Sequence, residues 1–484
     1  MKKIMFLIMF IYLSIDTFGQ LPPILEFDKI ISVRDHIIEI PLGEFSIIET
    51  PQTPVTIDRR VYFVHGLGGD ASSWVKVSDA FSNTSLNISG FPARKVETFR
   101  VSYVYSTDAS LCEAAQDVRN QIRTTASQDY LTGGMIPNDA FIIAHSQGGL
   151  VSRTLLHLDF VQDPDNPPSY GVGYGGLVTV ASPLQGAMIL NNRDMILDMA
   201  EDACVSLIAG PKISTHGVEK VLVNLVINNL GLDDTATDYT CKIISKNILP
   251  IFFADYYDDI TNYYKVGASW IQTLNNDASN PTYCNLPKVA FFGEEPKQNI
   301  FWRTVNWFTK NPNNEDYFAA NDDFTFYNST IKPNYDLYVR RTDDFQANAD
   351  KNWERKHNAW LWIFNPALAI YYCNQYNINI KKRNAWNKGV DFFRYANGRW
   401  EVVIGARRYN SSPSNPQEIL NYSYYPNDGV VVQESAADLP CATNSPVRLY
   451  NSSHMQVRND ANIKIYMKRL LDGQYGDFFQ TDIK

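Results

Sequence analysis

The stretch from Ala140 to Leu158 constrains this chain more than any other. A fully apolar run, Ala140 to Ala144, passes through His145-Ser146-Gln147 into two glycines and then an apolar pattern of helical period. An apolar strand turning at once into a helix belongs to a sheet buried on both faces, so a parallel sheet covered by helices is expected. Ala144 and Gly148 stand two positions before and after Ser146, where a larger side chain would collide with the neighbouring strand and helix. This is the G-x-S-x-G turn with Ala for the first Gly. It presents Ser146 at the carboxyl end of the sheet, where open α/β folds place ligands, with a helix N-terminus beneath any developing oxyanion. The alternative is that Ser146 is only a helix N-cap on a strand-to-helix turn.

The same alternation extends to both sides. Val61 to Val64 is a short apolar run ended by glycines, and Lys95 to Tyr105 is a longer β-branched and aromatic one. Ser110 and Glu113 form a capping box that opens a helix to about residue 125. Gly176 to Ala181 is another buried strand. The fold class is therefore α/β, a doubly wound and mostly parallel sheet with right-handed crossovers. At 484 residues the chain exceeds a single ordinary core, and from about 190 to 425 Asn, Asp and Tyr become frequent. Eight of the nine tryptophans fall between Trp270 and Trp400, marking a large aromatic-rich cap. Lys288 to Gly293 reads as a core strand inside that region.

The expected division is a signal peptide at 1–19, core at 20–190, cap at 191–286, a core strand at 287–296, cap again at 297–425, and core at 426–484. The last part ends in a helix, Asn462 to Leu471, stopped by Gly473 and packed back on the core. Lys2 and Lys3 before the apolar run Ile4 to Ile15 give the signal-peptide reading and, with it, a secreted or periplasmic address. No Cys follows that run for lipid anchoring. Ala359 to Cys373 is too short, and interrupted by Asn365 and Pro366, to span a bilayer. With 43 basic and 52 acidic residues and a net charge of -9, no Lys/Arg run is expected to build a local positive field. Nucleic acid and anionic membrane surfaces are then poor partners, and no stable membrane anchor is expected. Six cysteines permit disulfides without fixing their pairing, or buried free thiols. No Cys/His spacing suggests zinc.

Three further segments bear on Ser146. His65-Gly66-Leu67-Gly68-Gly69 follows the strand at Val61, and such a loop can aim the Leu67 N–H at a carbonyl oxygen together with that of Gln147. Its plainer readings are a Gly-rich turn or a phosphate loop, and neither the Lys-Ser/Thr pair nor the G-x-G-x-x-G of nucleotide sites follows. Pro426-Asn427-Asp428-Gly429 is a turn signal that also places a carboxylate beside a strand end. His454 comes 26 residues later, giving the chain order Ser146, Asp428, His454.

With these residues the sequence resembles the secreted bacterial lipases of the α/β-hydrolase fold. The matching motifs are HGLGG at 65–69, AHSQGG at 144–149, NDGVV at 427–431 and the late His454, with Ala181-Ser182-Pro183-Leu184-Gln185-Gly186 after the next core strand. The resemblance implies Ser146 as nucleophile, Asp428 as acid, His454 as base, and the Leu67 and Gln147 amides as oxyanion hole. No cofactor is implied. Several such lipases hold calcium through an Asp two residues beyond the histidine, where this chain has Gln456, so no metal is assigned. Glu294 and Glu295, at the end of the Lys288 strand, are the alternative acids. His145 is expected to pack behind the sheet and His65 to order the oxyanion loop, while His36, His157, His216 and His357 have no partner motif.

The expected activity is hydrolysis of a small-molecule or lipid carboxylic ester through an acyl-enzyme. Amide, thioester or acylated-glycan chemistry, or acyl transfer, is the rival within enzymes. A non-catalytic glycan-binding protein on a hydrolase scaffold is the rival outside them. Phe301, Trp302, Val305, Trp307 and Phe308 read as a lipid-accepting lid, as the cap's own core, or as a sugar-stacking face.

Overall fold

The structure is a computed structural model that describes residues 59–67, 69–81, 85–86, 94–103, 110–131, 140–162, 174–213, 263–295, 300–309, 327–407 and 424–471. The signal-peptide segment, Gly68, His36, His216 and Gly473 lie outside these, as do the side chains of Val305, Trp307 and Phe308.

Seven strands form one sheet: β1 (Arg59–Val64), β2 (Ser85–Leu86), β3 (Arg94–Val101), β4 (Ala140–His145), β5 (Tyr174–Val180), β6 (Lys288–Glu294) and β7 (Val447–Tyr450), in the order β2-β3-β1-β4-β5-β6-β7. Every pairing is parallel except that of the two-residue β2 on the edge. The order reverses direction beside β1, so the loops after β1 and β4 diverge and open a crevice between them, the switch point of a doubly wound sheet. This is the α/β-hydrolase arrangement, carrying a large helical insertion.

Both faces are dry. Val61 and Phe63 of β1 pack beneath with Phe141, Ile143, Val180 and Phe291, while Tyr62 and Val64 face the opposite side with Ile142, Ala144 and Ala290. Helix α1 (Val75–Phe81) covers the first face, joined there by Ile463, Met467, Leu470 and Leu471 of the C-terminal helix. Helices α2 (Leu111–Leu131) and α3 (Gln147–His157) cover the second. The box at the start of α2 closes as its sequence predicts, with Glu113 N–H donating to Ser110 Oγ at 3.2 Å and Ser110 N–H to Glu113 Oε2 at 2.6 Å.

The insertion begins with α4 (Arg193–Ile213). Residues 263–286, assigned to the cap from sequence, instead complete the core: Ile271 and Leu274 of α5 (Ser269–Asn276) and Tyr283 of α6 (Pro281–Asn285) join Leu150, Leu155 and Leu177. Their polar, Asn-rich spacing hid a narrow apolar stripe that suffices to cover α3. The cap proper comprises α4, α7 (Ile300–Thr309), α8 (Lys332–Lys356), α9 (Ala359–Phe364) and α10 (Pro366–Val403), of which α4, α7, α8 and the C-terminal half of α10 share one cluster around Trp302, Trp386 and Trp400. The last helix is α11 (Ala461–Leu471). A disulfide joins Cys284 to Cys441, tying α6 to the segment before β7, whereas Cys112 and Cys373 are free thiols.

Candidate active site

The loops that follow β1, β4, β6 and β7 meet at the carboxyl edge of the sheet. At the end of β4, Ser146 adopts φ 52° and ψ -126°, a left-handed conformation that a non-glycine residue holds only where its surroundings enforce it. Two main-chain bonds enforce it here: Ser146 N–H donates to Val180 O at 2.9 Å, and Gly149 N–H donates to Ser146 O at 3.0 Å. A methyl group on Gly148 would stand 2.4 Å from His65 O, so the small residue two places after the serine is a steric requirement. Although Ser146 occupies the N-cap position of α3, its hydroxyl makes no capping bond. The N-cap alternative therefore fails as an account of this side chain.

The hydroxyl is spent on His454. Ser146 Oγ lies 2.9 Å from His454 Nε2, and His454 Nδ1 lies 2.8 Å from Asp428 Oδ2. An ionised carboxylate only accepts, so Nδ1 carries the proton and Nε2 is left to accept from the serine. Asp428 is itself held: its Oδ1 accepts from the N–H groups of Val430 (2.9 Å) and Val431 (2.7 Å), and its carbonyl accepts from His454 N–H (2.8 Å). The turn works because Gly429 takes φ +91° and Asn427 Oδ1 accepts from Gly429 N–H at 2.9 Å. Indole Nε1 of Trp400, near the end of α10, donates to Gly429 O at 2.8 Å and so couples the cap to the acid turn.

Both ring nitrogens of His454 are engaged by Ser146 and Asp428, and the alternative acids have partners of their own. Glu294 pairs with Arg448, and Glu295, buried beside Asn427, pairs through Oε1 with Arg303 Nε of α7 at 2.7 Å. The same Arg303 donates to Oε1 of Gln456, two residues beyond His454. Among the described residues no cluster of three or more His, Cys, Asp or Glu is placed to hold a metal ion.

The glycine loop also comes to the site. Gly66 approaches so closely that a methyl group there would lie 2.8 Å from Ser146 Cβ, which puts the main chain of Leu67 next to Ser146. As the first residue of α3, Gln147 has no carbonyl one turn back to receive its N–H. Its side chain is fixed on both sides: Nε2 donates to the Tyr264 hydroxyl at 2.8 Å, and the Tyr103 hydroxyl lies 3.1 Å from Oε1 and 3.0 Å from His65 O.

Two histidines support this geometry. His65 Nδ1 donates to Gly66 O at 2.9 Å while its ring stacks on Tyr103 with centroids 4.3 Å apart, and burial pushes its pKa below the usual 6.5. His145 is buried, and its Nε2 donates to the main-chain carbonyl of His454 at 2.8 Å. Burial first, then the neighbouring His454, holds its pKa well below 6.5, so it remains a neutral donor. The His145 bond was beyond sequence reading, because it joins residues 309 positions apart. His157, which had no partner motif, meets Asp277 through Nδ1 at 2.8 Å.

Phe301 and Trp302 are buried in the cap's own cluster with Phe392, Phe393 and Trp400. Their faces are therefore closed both to lipid and to sugar stacking.

A family model described as palmitoyl protein thioesterase matches residues 60–331, more than half of the chain. The match includes the glycine loop and Ser146 and stops before Asp428. Nothing among curated proteins matches the sequence. Similar solved structures include the mature Bacillus licheniformis lipase BlEst2 (11% identity, TM-score 0.33, covering 88% of this chain and 96% of that one). Lipase 1 from Pelosinus fermentans is 13% identical with a TM-score of 0.33, covering 87% and 99%. The Legionella pneumophila phospholipase PlaB is 10% identical with a TM-score of 0.28, covering 52% and 43%.

Proposed function

The chain belongs to the palmitoyl protein thioesterase family and is a serine hydrolase of the lipase and thioesterase type, and on that premise we propose that it cleaves carboxylic acyl esters with Ser146 as nucleophile, His454 as base and Asp428 as orienting acid. One observation carries the reading, the unbroken hydrogen-bonded line from Ser146 Oγ through both nitrogens of His454 to Asp428 Oδ2.

In this mechanism Ser146 Oγ attacks the acyl carbonyl carbon while its proton passes to His454 Nε2. Asp428 holds the ring in the required tautomer and stabilises the imidazolium. The negative charge forming on the carbonyl oxygen is met by the N–H groups of Leu67 and Gln147, each such donor being worth about 3 kcal/mol in the transition state. Collapse breaks the bond to the leaving group, which takes the proton from Nε2. Water then enters, gives a proton to His454 and releases the acid from Ser146 by the same steps in reverse.

A second reading, hydrolysis of thioesters, is favoured by the family match. The same residues serve it, since a thiolate leaves with less help from the imidazolium than an alkoxide. Turnover of an oxygen ester and a thioester bearing the same acyl chain separates the two. The proposal requires hydrolysis of the oxygen ester that disappears in Ser146→Ala, and an enzyme that cleaves only the thioester overturns the substrate assignment. Export is part of the proposal, supported by the apolar run at Ile4 to Ile15 and by the Cys284–Cys441 disulfide, which suits an oxidising compartment.

A further inference from the structure

Helices α8, α9 and α10 make a hairpin, and among the described residues its distal half buries few side chains. Between Phe345 and Ala385 the buried residues are Ala349 and Ala369. At its apex Trp360 (68% exposed), Ile363 (68%) and Phe364 (73%) stand in solvent, followed by Trp362, Ile370 and Tyr371. A group of large apolar side chains left together in water marks a contact site.

The apex is a built structure. Asn358 Oδ1 accepts from Trp360 N–H at 3.1 Å, and Asn365 Oδ1 accepts from Leu368 N–H at 3.1 Å, so both helices are capped. Trp362 Nε1 donates to Lys356 O at 2.6 Å, and the Trp360 and Phe364 rings stack at 5.3 Å. The apolar side chains are thereby fixed in place, the Trp360–Phe364 stack included, while they remain exposed.

Charge says what covers them. Residues 350–390 carry seven Lys or Arg against two acids, Asp350 and Glu354, in a chain whose net charge is -9. Lys381-Lys382-Arg383 is a basic run on α10 that lies beside Phe345 and Gln346 of α8, further from the apex than Arg355 and Lys356. This run corrects the expectation that no Lys/Arg run builds a local positive field. The cations behind the apex lie on aromatic rings, Lys356 Nζ 4.0 Å from the centre of Trp353 and 4.1 Å from that of Tyr376, with the Arg355 guanidinium 5.2 Å from Tyr372. Apolar and indole groups in front with cations behind match the boundary between acyl chains and phosphates.

We propose that the apex of this hairpin docks on the surface of a bilayer containing anionic lipid, seating Trp360, Ile363 and Phe364 about 5–10 Å deep at the headgroup boundary with Arg355 and Lys356 against phosphates. No helix among the described residues is long and apolar enough to cross a membrane, so the contact is with one leaflet. Trp400, which holds the acid turn, lies about 50 Å along α10 from Pro366 at 1.5 Å per residue. The apex is therefore a tether at the far end of the cap and not a cover over Ser146.

Flotation with vesicles tests this without any need for catalysis. The full chain should float with vesicles of equimolar phosphatidylglycerol and phosphatidylcholine at least about tenfold more than with pure phosphatidylcholine, losing this in high salt. Brominated acyl chains should quench its tryptophan fluorescence. Trp360→Ser/Ile363→Ser/Phe364→Ser should lose the binding about tenfold or more, and Arg355→Gln/Lys356→Gln should lose the preference for anionic vesicles. Near-ultraviolet circular dichroism, and turnover of a soluble short-chain ester where the chain shows it, should be unchanged in both variants. The proposal is overturned by equal flotation of wild type and triple variant, by indifference to lipid charge, or by a triple variant that only turns a dimer into a monomer. Absent bromolipid quenching in the wild type overturns it whatever the variants do.

Discussion

His145 reaches across the site to His454: its Nε2–H is bonded to the main-chain carbonyl of His454 at 2.8 Å, with the two ring centroids 5.0 Å apart. The residue before Ser146 thus fixes the backbone of the histidine that is hydrogen-bonded to the Ser146 hydroxyl. His145→Ala should lower kcat about 10- to 100-fold with little change in KM, since a shift of about 1 Å in the imidazole has that effect. His145→Gln, which keeps a donor of similar reach, should recover much of the loss. Equal losses in both variants, or a change confined to KM, would show that the bond does not position His454.

The same burial gives a pH dependence of stability. His65 and His145 both have native pKa values below the ordinary 6.5, so at lower pH the unfolded chain binds protons that the native protein refuses. Stability is full above pH 6.5 and falls as pH drops below it, by up to about 1.4 kcal/mol per pH unit for each histidine. Urea unfolding between about pH 5 and 6.5 should show this slope, and His145→Gln should reduce it by roughly half. A flat profile in that window would contradict the assignment.

Asp428→Asn keeps an oxygen for the Val430 and Val431 amides but turns an NH2 towards His454 Nδ1. Loss of the correct tautomer should reduce kcat about 10³- to 10⁴-fold in a folded protein. Glu295→Gln should instead act on stability, by about 3–5 kcal/mol, through the Arg303 guanidinium left buried without its carboxylate. If Glu295→Gln abolished turnover in a protein of unchanged stability while Asp428→Asn retained it, the acid would have to be reassigned.

The Cys284–Cys441 bridge closes 157 residues of chain, which in the chain-entropy view stabilises the native state by about 5 kcal/mol. Cys441→Ser should lower the thermal midpoint by several degrees, and added reductant should do the same to the wild type. Identical midpoints with and without reductant would show that the bridge contributes nothing.

Much of this was legible in the sequence because it rests on local constraints. Ala144 and Gly148 announce the turn at Ser146, Gly429 the left-handed position after Asp428, and the Ser110–Glu113 pair the start of α2. Burial on both faces made the strands read as apolar runs. What escaped depends on chain segments far apart: the His145 bond, the Arg303 pair with Glu295 and Gln456, and the packing of residues 263–286 on α3. The aromatic cap misled for a different reason. Burial of Trp302 and Trp400 and exposure of Trp360 give the same letter, and only the hairpin geometry separates a core tryptophan from a surface one.

The account turns on Ser146, and reaction with a fluorophosphonate followed by peptide mass mapping tests it most directly. It predicts one adduct, on the peptide containing Ser146, that is absent in Ser146→Ala and formed far more slowly in His454→Ala. A folded wild type that stays unlabelled, or one labelled at another residue with Ser146 untouched, would contradict it.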